Sequence, residues 1–125
     1  MTENDKRQLT ADPDGLLTYE YIANHIEDDD FDIDALADNM INVDATGQYV
    51  VSAARYLHAI DASRFAAAID KLIAAAIDKD RERRYIGELL QSIWGEDYQQ
   101  HVDELNASDN NFRRIYKRLF PKGNL

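Results

Sequence analysis

A chain of 125 residues and 14.3 kDa, 45% of it apolar, is long enough to bury one hydrophobic core and is expected to form a single domain. It has no cysteine, which removes disulfides, thiolate nucleophiles and cysteine-based zinc sites. It also has no apolar run approaching the ~18 residues of a membrane span. A formal charge of −10 opposes non-specific attraction to nucleic acid or anionic lipid over the molecule as a whole, so the expectation is a soluble cytoplasmic protein without metal or cofactor.

Residues 1–15 are polar, end in Asp12-Pro13-Asp14-Gly15, and offer almost nothing apolar to bury, which predicts a mobile N-terminal tail. From Leu16 to Lys122 apolar residues recur at helical spacing, no block of useful length alternates with period two, and both prolines lie near the ends. The domain 16–122 is therefore expected to be all-α.

The first predicted helix runs from about Thr18 to Glu27, with Thr18 as its cap and Tyr19, Ile22, Ala23 and Ile26 inward. Asp32 caps a second, in which Ile33, Leu36, Ala37, Met40 and Ile41 form the stripe. A turn over 44–47 leads to a third, about Thr46 to Ala59, burying Val50, Ala53, Ala54 and Leu57. Asp61 starts a fourth, about Ala62 to Lys79, apolar nearly all round through Phe65, Ile69, Leu72, Ile73, Ala76 and Ile77 and several alanines. Such a helix belongs at the centre, because small residues let neighbours approach from several sides. It contains Ala-Ala-Ala-Ile-Asp-Lys twice, an eight-residue offset that reads as local redundancy and not as a fold repeat.

A fifth helix, about Arg81 to Ile93, stops near Gly95, and a short sixth covers Asp97 to Leu105. Ser108 caps the last, whose Phe112, Ile115, Tyr116, Leu119 and Phe120 repeat at i, i+3, i+4, i+7, i+8 before Pro121. Six to seven short antiparallel helices satisfy either a compact bundle or a short right-handed stack of helix pairs.

The charge is divided unequally. Residues 1–50 carry 13 acids and two bases, whereas residues 51–125 carry 11 acids and 12 bases. An acidic patch gathers Glu27, Asp28, Asp29, Asp30, Asp34 and Asp38 together with the capping Asp32. The last helix gathers Arg113, Arg114, Lys117, Arg118 and Lys122 around Tyr116 with no acid between them. Arg81, Arg83 and Arg84 form a second basic cluster. Cations at the start of a helix oppose its dipole, so these are expected to pair with Asp78, Asp80, Glu88 or a partner.

Alternate carboxylates at Asp28, Asp30, Asp32 and Asp34 suggest a calcium loop, but the spacing refuses it. Counting from Asp30, Ala35 stands where the turn needs glycine and Ile41 where the bidentate glutamate belongs. His25, His58 and His101 are far apart in sequence. His101 meets Asp97 and Glu104 at ordinary helix-surface spacing. No glycine-rich phosphate loop is present.

The expectation is a non-catalytic protein-interaction domain that binds another protein or a second copy of itself. The candidate partner-binding residues are Arg113, Arg114, Tyr116, Lys117, Arg118 and Lys122, and direct nucleic-acid or membrane binding is not expected. An alternative of a different class is a nucleic-acid mimic, whose carboxylates over 27–38 would occupy a basic DNA-binding protein. An enzyme with a carboxylate pair drawn from distant helices stands third.

Overall fold

In the computed structural model, which describes residues 1–122, three buried aspartates decide where six of the helices begin and end. The regular elements among the described residues are all helices: α1 (Glu3–Thr10), α2 (Leu16–His25), α3 (Ile33–Val43), α4 (Gln48–Asp61), α5 (Ala66–Lys79), α6 (Gly87–Trp94), α7 (Val102–Ser108) and α8 (Asn110–Leu119). A 3-10 turn, Tyr98–His101, precedes α7.

Asp12, Asp44 and Asp80 each end one helix and, by accepting the backbone amides of the next few residues, start another. Asp44 shows the arrangement most fully. Its Oδ1 accepts from the amides of Thr46 and Gly47, both at 3.0 Å, and its Oδ2 from those of Tyr49 at 2.8 Å and Val50 at 2.9 Å. Asp12 takes the amides of Asp14, Gly15 and Thr18 and the Thr18 hydroxyl. Asp80 takes those of Arg84, Tyr85 and Ile86. These are amides that the start of a helix leaves without intrahelical partners, and a buried carboxylate satisfies several at once. Three residues after each aspartate the chain turns left-handed, at Gly15 (φ 107°), Gly47 (φ 91°) and Arg83 (φ 59°).

The turns joining α1 to α2, α3 to α4 and α5 to α6 touch one another, while along the chain α2 packs on α3 and α4 packs on α5. A Cβ placed on Gly15 would stand 3.2 Å from Asp44 Cβ, and one on Gly47 would stand 3.4 Å from Asp80 Cβ. Alternate helices pack together, α1 on α3 and α3 on α5, α2 on α4 and α4 on α6, with α8 closing against α5 and α6. One continuous core results. Its largest fully buried side chains include Ile22, Leu36, Met40, Leu57, Leu72, Ile73, Ile86, Leu89 and Phe112. Helix α5 has neighbours in α3, α4 and α8 and buries Ala68, Ile69, Leu72, Ile73, Ala76 and Ile77, although Ala66 and Ala67 are exposed.

Several boundaries differ from the sequence reading, each for a local reason. Where a mobile tail over 1–15 is expected, the structure places α1. Thr2 and Asp5 cap it reciprocally, Leu9 is buried in the core, and Asn39 Nδ2 donates to the Leu9 carbonyl at 2.9 Å. Thr18 is not a cap but a buried residue inside α2, because Asp12 supplies the acceptor from outside the helix. Asp61 accepts the Arg64 amide in a turn, which delays α5 to Ala66. Arg81, Arg83 and Arg84 lie in the third aspartate turn and not in a helix, so α6 begins only at Gly87. Asp109, not Ser108, caps α8 by accepting the Phe112 amide at 3.0 Å, while the Ser108 hydroxyl donates to the Glu104 carbonyl.

Candidate functional site

The acidic patch occupies the connection between α2 and α3 and the exposed side of α3. Glu27, Asp29 and Asp34 are exposed. Asp28 lies 2.6 Å from His25 Nδ1, Asp30 accepts from the Met1 ammonium group at 2.6 Å, and Asp38 pairs with Lys71. The negative potential there is felt by Tyr21. Its hydroxyl stands 3.5 Å from Asp5 Oδ2, and its pKa is raised by partial burial and by Asp5, Asp30 and Asp28 around it.

The basic residues of α8 are not one uniform solvated face. Arg114 Nη2 donates to Asp78 Oδ1 at 3.1 Å and Arg118 Nη1 to the Ile77 carbonyl at 2.8 Å, so both hold α8 against the end of α5. Arg113 turns the other way, to the Asn106 carbonyl and Asn110 Oδ1. Lys117 and Lys122 are exposed. Tyr116 is half-buried between Phe112 and Phe120, with ring centroids at 5.6 and 4.7 Å.

Helix packing joins the two basic clusters that the sequence separates by some thirty residues. Arg83 Nη1 reaches the Arg118 carbonyl at 3.4 Å, and a Cβ on Gly87 would stand 3.6 Å from Leu119 Cδ1, so the third turn lies beside the C-terminal end of α8. Lys79, Arg81, Arg83 and Arg84 thereby share an edge with Arg114 and Arg118, and Lys117 stands next to them on the exposed side of α8, towards Arg113. The edge includes only Asp78 and Glu82 as exposed acids, because Asp80 is buried under its three amides. Arg84 pairs with Glu82 at 2.7 Å. Among the described residues the side chains of Lys79, Arg81 and Lys117 have no ion-pair or hydrogen-bond partner. Beside the turn lies a hollow of about 310 Å³ lined by Thr46, Lys79, Arg81, Arg84 and Tyr85 together with the acids Asp80 and Glu82. A carboxylate entering it would meet Lys79 and Arg81, which have no side-chain partner among the described residues, while Arg84 is held by Glu82 and Asp80 by its backbone amides.

No protein-family model, no curated protein and no solved structure matches this chain.

A second groove, about 560 Å³, lies between the 3-10 turn and α8, lined by Tyr98, His101, Val102, Glu104, Tyr116 and Phe120. His101 stands 3.3 Å from Asp97 and 3.8 Å from Glu104, exposed to water, which is the helix-surface pairing that its spacing implies. Among the described residues no three potential metal ligands converge. The buried carboxylates at Asp12, Asp44 and Asp80 are committed to the backbone. Burial opposes ionisation of Asp12, but the Thr18 hydroxyl and the amides of Thr18, Gly15 and Asp14 outweigh it and hold its pKa below the ordinary carboxylate value.

Sequence reasoning missed Lys79 as part of the basic edge and, although it read a turn over 44–47 and named Asp80 as an ion-pair partner, missed the shared helix-starting role of Asp12, Asp44 and Asp80. A signal for the latter existed. Asp12, Asp44 and Asp80 lie 32 and 36 residues apart, and the first two share the pattern Asp-x-x-Gly.

Proposed function

We propose that this chain is a non-catalytic interaction domain that receives an acidic protein segment on the basic edge formed by the end of α5, the third turn and α8. The observation that carries this reading is the merging of the two basic clusters into one face on a molecule whose net charge is −10. Seven cations gathered against two exposed acids exceed what solubility asks of such a protein, and arginine forks suit carboxylates in particular. We read the helix arrangement behind it as a short stack of helix pairs, since turn touches turn along the series, and such stacks present extended rigid surfaces.

A short acidic segment fits better than nucleic acid. A long polyanion would extend past the edge into the acidic remainder of the surface, whereas a few carboxylates engage the cations alone. A nucleic-acid mimic needs negative charge spread over an extended face, whereas the acids of 27–38 are confined to the α2–α3 connection and the exposed side of α3.

The test is affinity capture from the native host with wild type and with Lys79→Gln/Arg81→Gln/Lys117→Gln, followed by reconstitution with each purified partner. The expected result is an acidic protein retained by wild type, released by salt and lost with the variant. Partners held equally by both would place the interaction elsewhere.

A further inference from the structure

The chain carries both halves of a charged contact, and its own fold does not bring them together. The cations of the edge find Asp78, Glu82 and the carbonyls of Ile77 and Arg118, while the acids of 27–38 find His25, the Met1 ammonium group and Lys71. The topology sets them apart. The three aspartate turns lie side by side at one end of the helix pairs, and the α2–α3 connection lies at the other. Glu27, Asp28, Asp29 and Asp30 are consecutive and exposed, in a tight connection fixed by the amide of Asp28 on the His25 carbonyl and that of Phe31 on the Asp28 carbonyl. It presents four consecutive exposed acids, and the hollow lined by Lys79, Arg81 and Arg84 together with Asp80 and Glu82 offers the two unpaired cations, Lys79 and Arg81, that complement them.

We propose that the acidic segment received by the basic edge is the α2–α3 connection of a second copy of this chain, in a head-to-tail contact. This rests on the edge being an acceptor of acidic segments, as argued above. The two surfaces differ, so the contact is heterologous, and it propagates into open chains unless the rotation between copies closes a ring. Its salt dependence has a distinctive form. At low ionic strength, where the Debye length is ~30 Å, two molecules of charge −10 repel over their whole surfaces. Near physiological strength the Debye length falls to ~8 Å, which removes that repulsion but leaves ion pairs in contact. Higher salt then weakens the pairs themselves. Self-association therefore passes through a maximum at intermediate salt.

Sedimentation velocity over a range of protein and salt concentrations tests this, with two exposed-site variants. Lys79→Glu/Arg81→Glu/Lys117→Glu replaces three cations of the edge by acids, and Glu27→Lys/Asp28→Lys/Asp29→Lys leaves the 27–30 connection with a net positive charge. Each variant alone is expected to be monomeric, and their mixture to associate at least as strongly as wild type. In parallel, an oligoglutamate peptide and an oligothymidylate are titrated onto wild type and onto the first variant. Wild type that stays monomeric at every salt concentration, with a mixture that also stays monomeric, overturns the second-copy proposal. If oligoglutamate still binds wild type and not the variant, the edge remains an acceptor for a different acidic protein. If it binds neither, the edge reading fails too. Preference for oligothymidylate would transfer the edge to a phosphate-bearing partner.

Discussion

Gly47 sits directly on Asp80. A Cβ on Gly47 would lie 3.4 Å from that of Asp80 and 3.6 Å from the Ala76 carbonyl, at a backbone φ of 91°. Gly15 bears the same relation to Asp44, more tightly, whereas Arg83, the corresponding residue of the third turn, has no further turn above it and carries a side chain at φ 59°. Glycine is thus required where one turn must pass under another and is dispensable where the series ends. Gly47→Ala is expected to cost about 1–2 kcal/mol from the left-handed backbone alone. Arg83→Gly should be neutral or stabilising by up to about 1 kcal/mol, as relief of strain competes with added chain entropy. Urea unfolding of the two variants checks the contrast, and equal losses would mean that the turns do not depend on each other.

Asp44 serves four amides and the Thr46 hydroxyl while 1% exposed. Asp44→Ala leaves several buried donors without an acceptor, each worth roughly 1–3 kcal/mol before relaxation, so a total loss of about 3–5 kcal/mol is expected. Asp30→Asn, on the exposed patch, should leave the unfolding midpoint where it is. A mild phenotype for Asp44→Ala in chemical denaturation would show that water replaces the carboxylate at little cost.

The sign of the Asp12 pKa shift fixes a pH dependence. A carboxyl whose folded pKa lies below its unfolded value binds fewer protons in the folded state, so its contribution is complete above the ordinary carboxylate pKa and is lost as pH falls through the folded value. Unfolding midpoints should be insensitive to this group near neutrality and fall below about pH 4. Asp12→Asn should be less stable at neutral pH and lose less on acidification. A variant with the same acid limb as wild type would assign that limb to other carboxylates.

The central placement of α5 gives a sharper contrast. Ile73 is 1% exposed, and Ile73→Asp buries an unpaired carboxylate at a cost of several kcal/mol, comparable with the ~5–15 kcal/mol stability of an ordinary domain. Circular dichroism at ambient temperature should show this variant largely unfolded.

The helices were legible wherever a stripe and its cap lie on the same element. Asp32 caps α3 through the Ala35 amide, and Gly95 ends α6 as its position suggests. What could not be read depends on contacts distant in sequence. Helix α1 is mostly polar and is held by Leu9, Asn39 and the Asp12 turn, so its own composition signals a tail. In the third turn Arg83 replaces the glycine that would have revealed the repeat, while the doubled hexapeptide inside α5 shows a period with no counterpart in the fold. The charged residues were legible one by one. Their grouping was not, because only the packing of α8 on α5 sets Arg118 beside Arg83.

The claim that the basic edge exists for a partner and not for the fold is tested most directly on Lys79, Arg81 and Lys117, since Arg114 and Arg118 also hold α8 in place. The triple variant Lys79→Gln/Arg81→Gln/Lys117→Gln removes exposed or half-buried cations that pair with nothing among the described residues. The measurement is its unfolding free energy together with its association rate for the captured partner across ionic strength. Stability should stay within about 0.5 kcal/mol of wild type, while association slows and loses most of its salt dependence. A variant that is clearly destabilised, yet associates as fast as wild type at every ionic strength, would contradict the account.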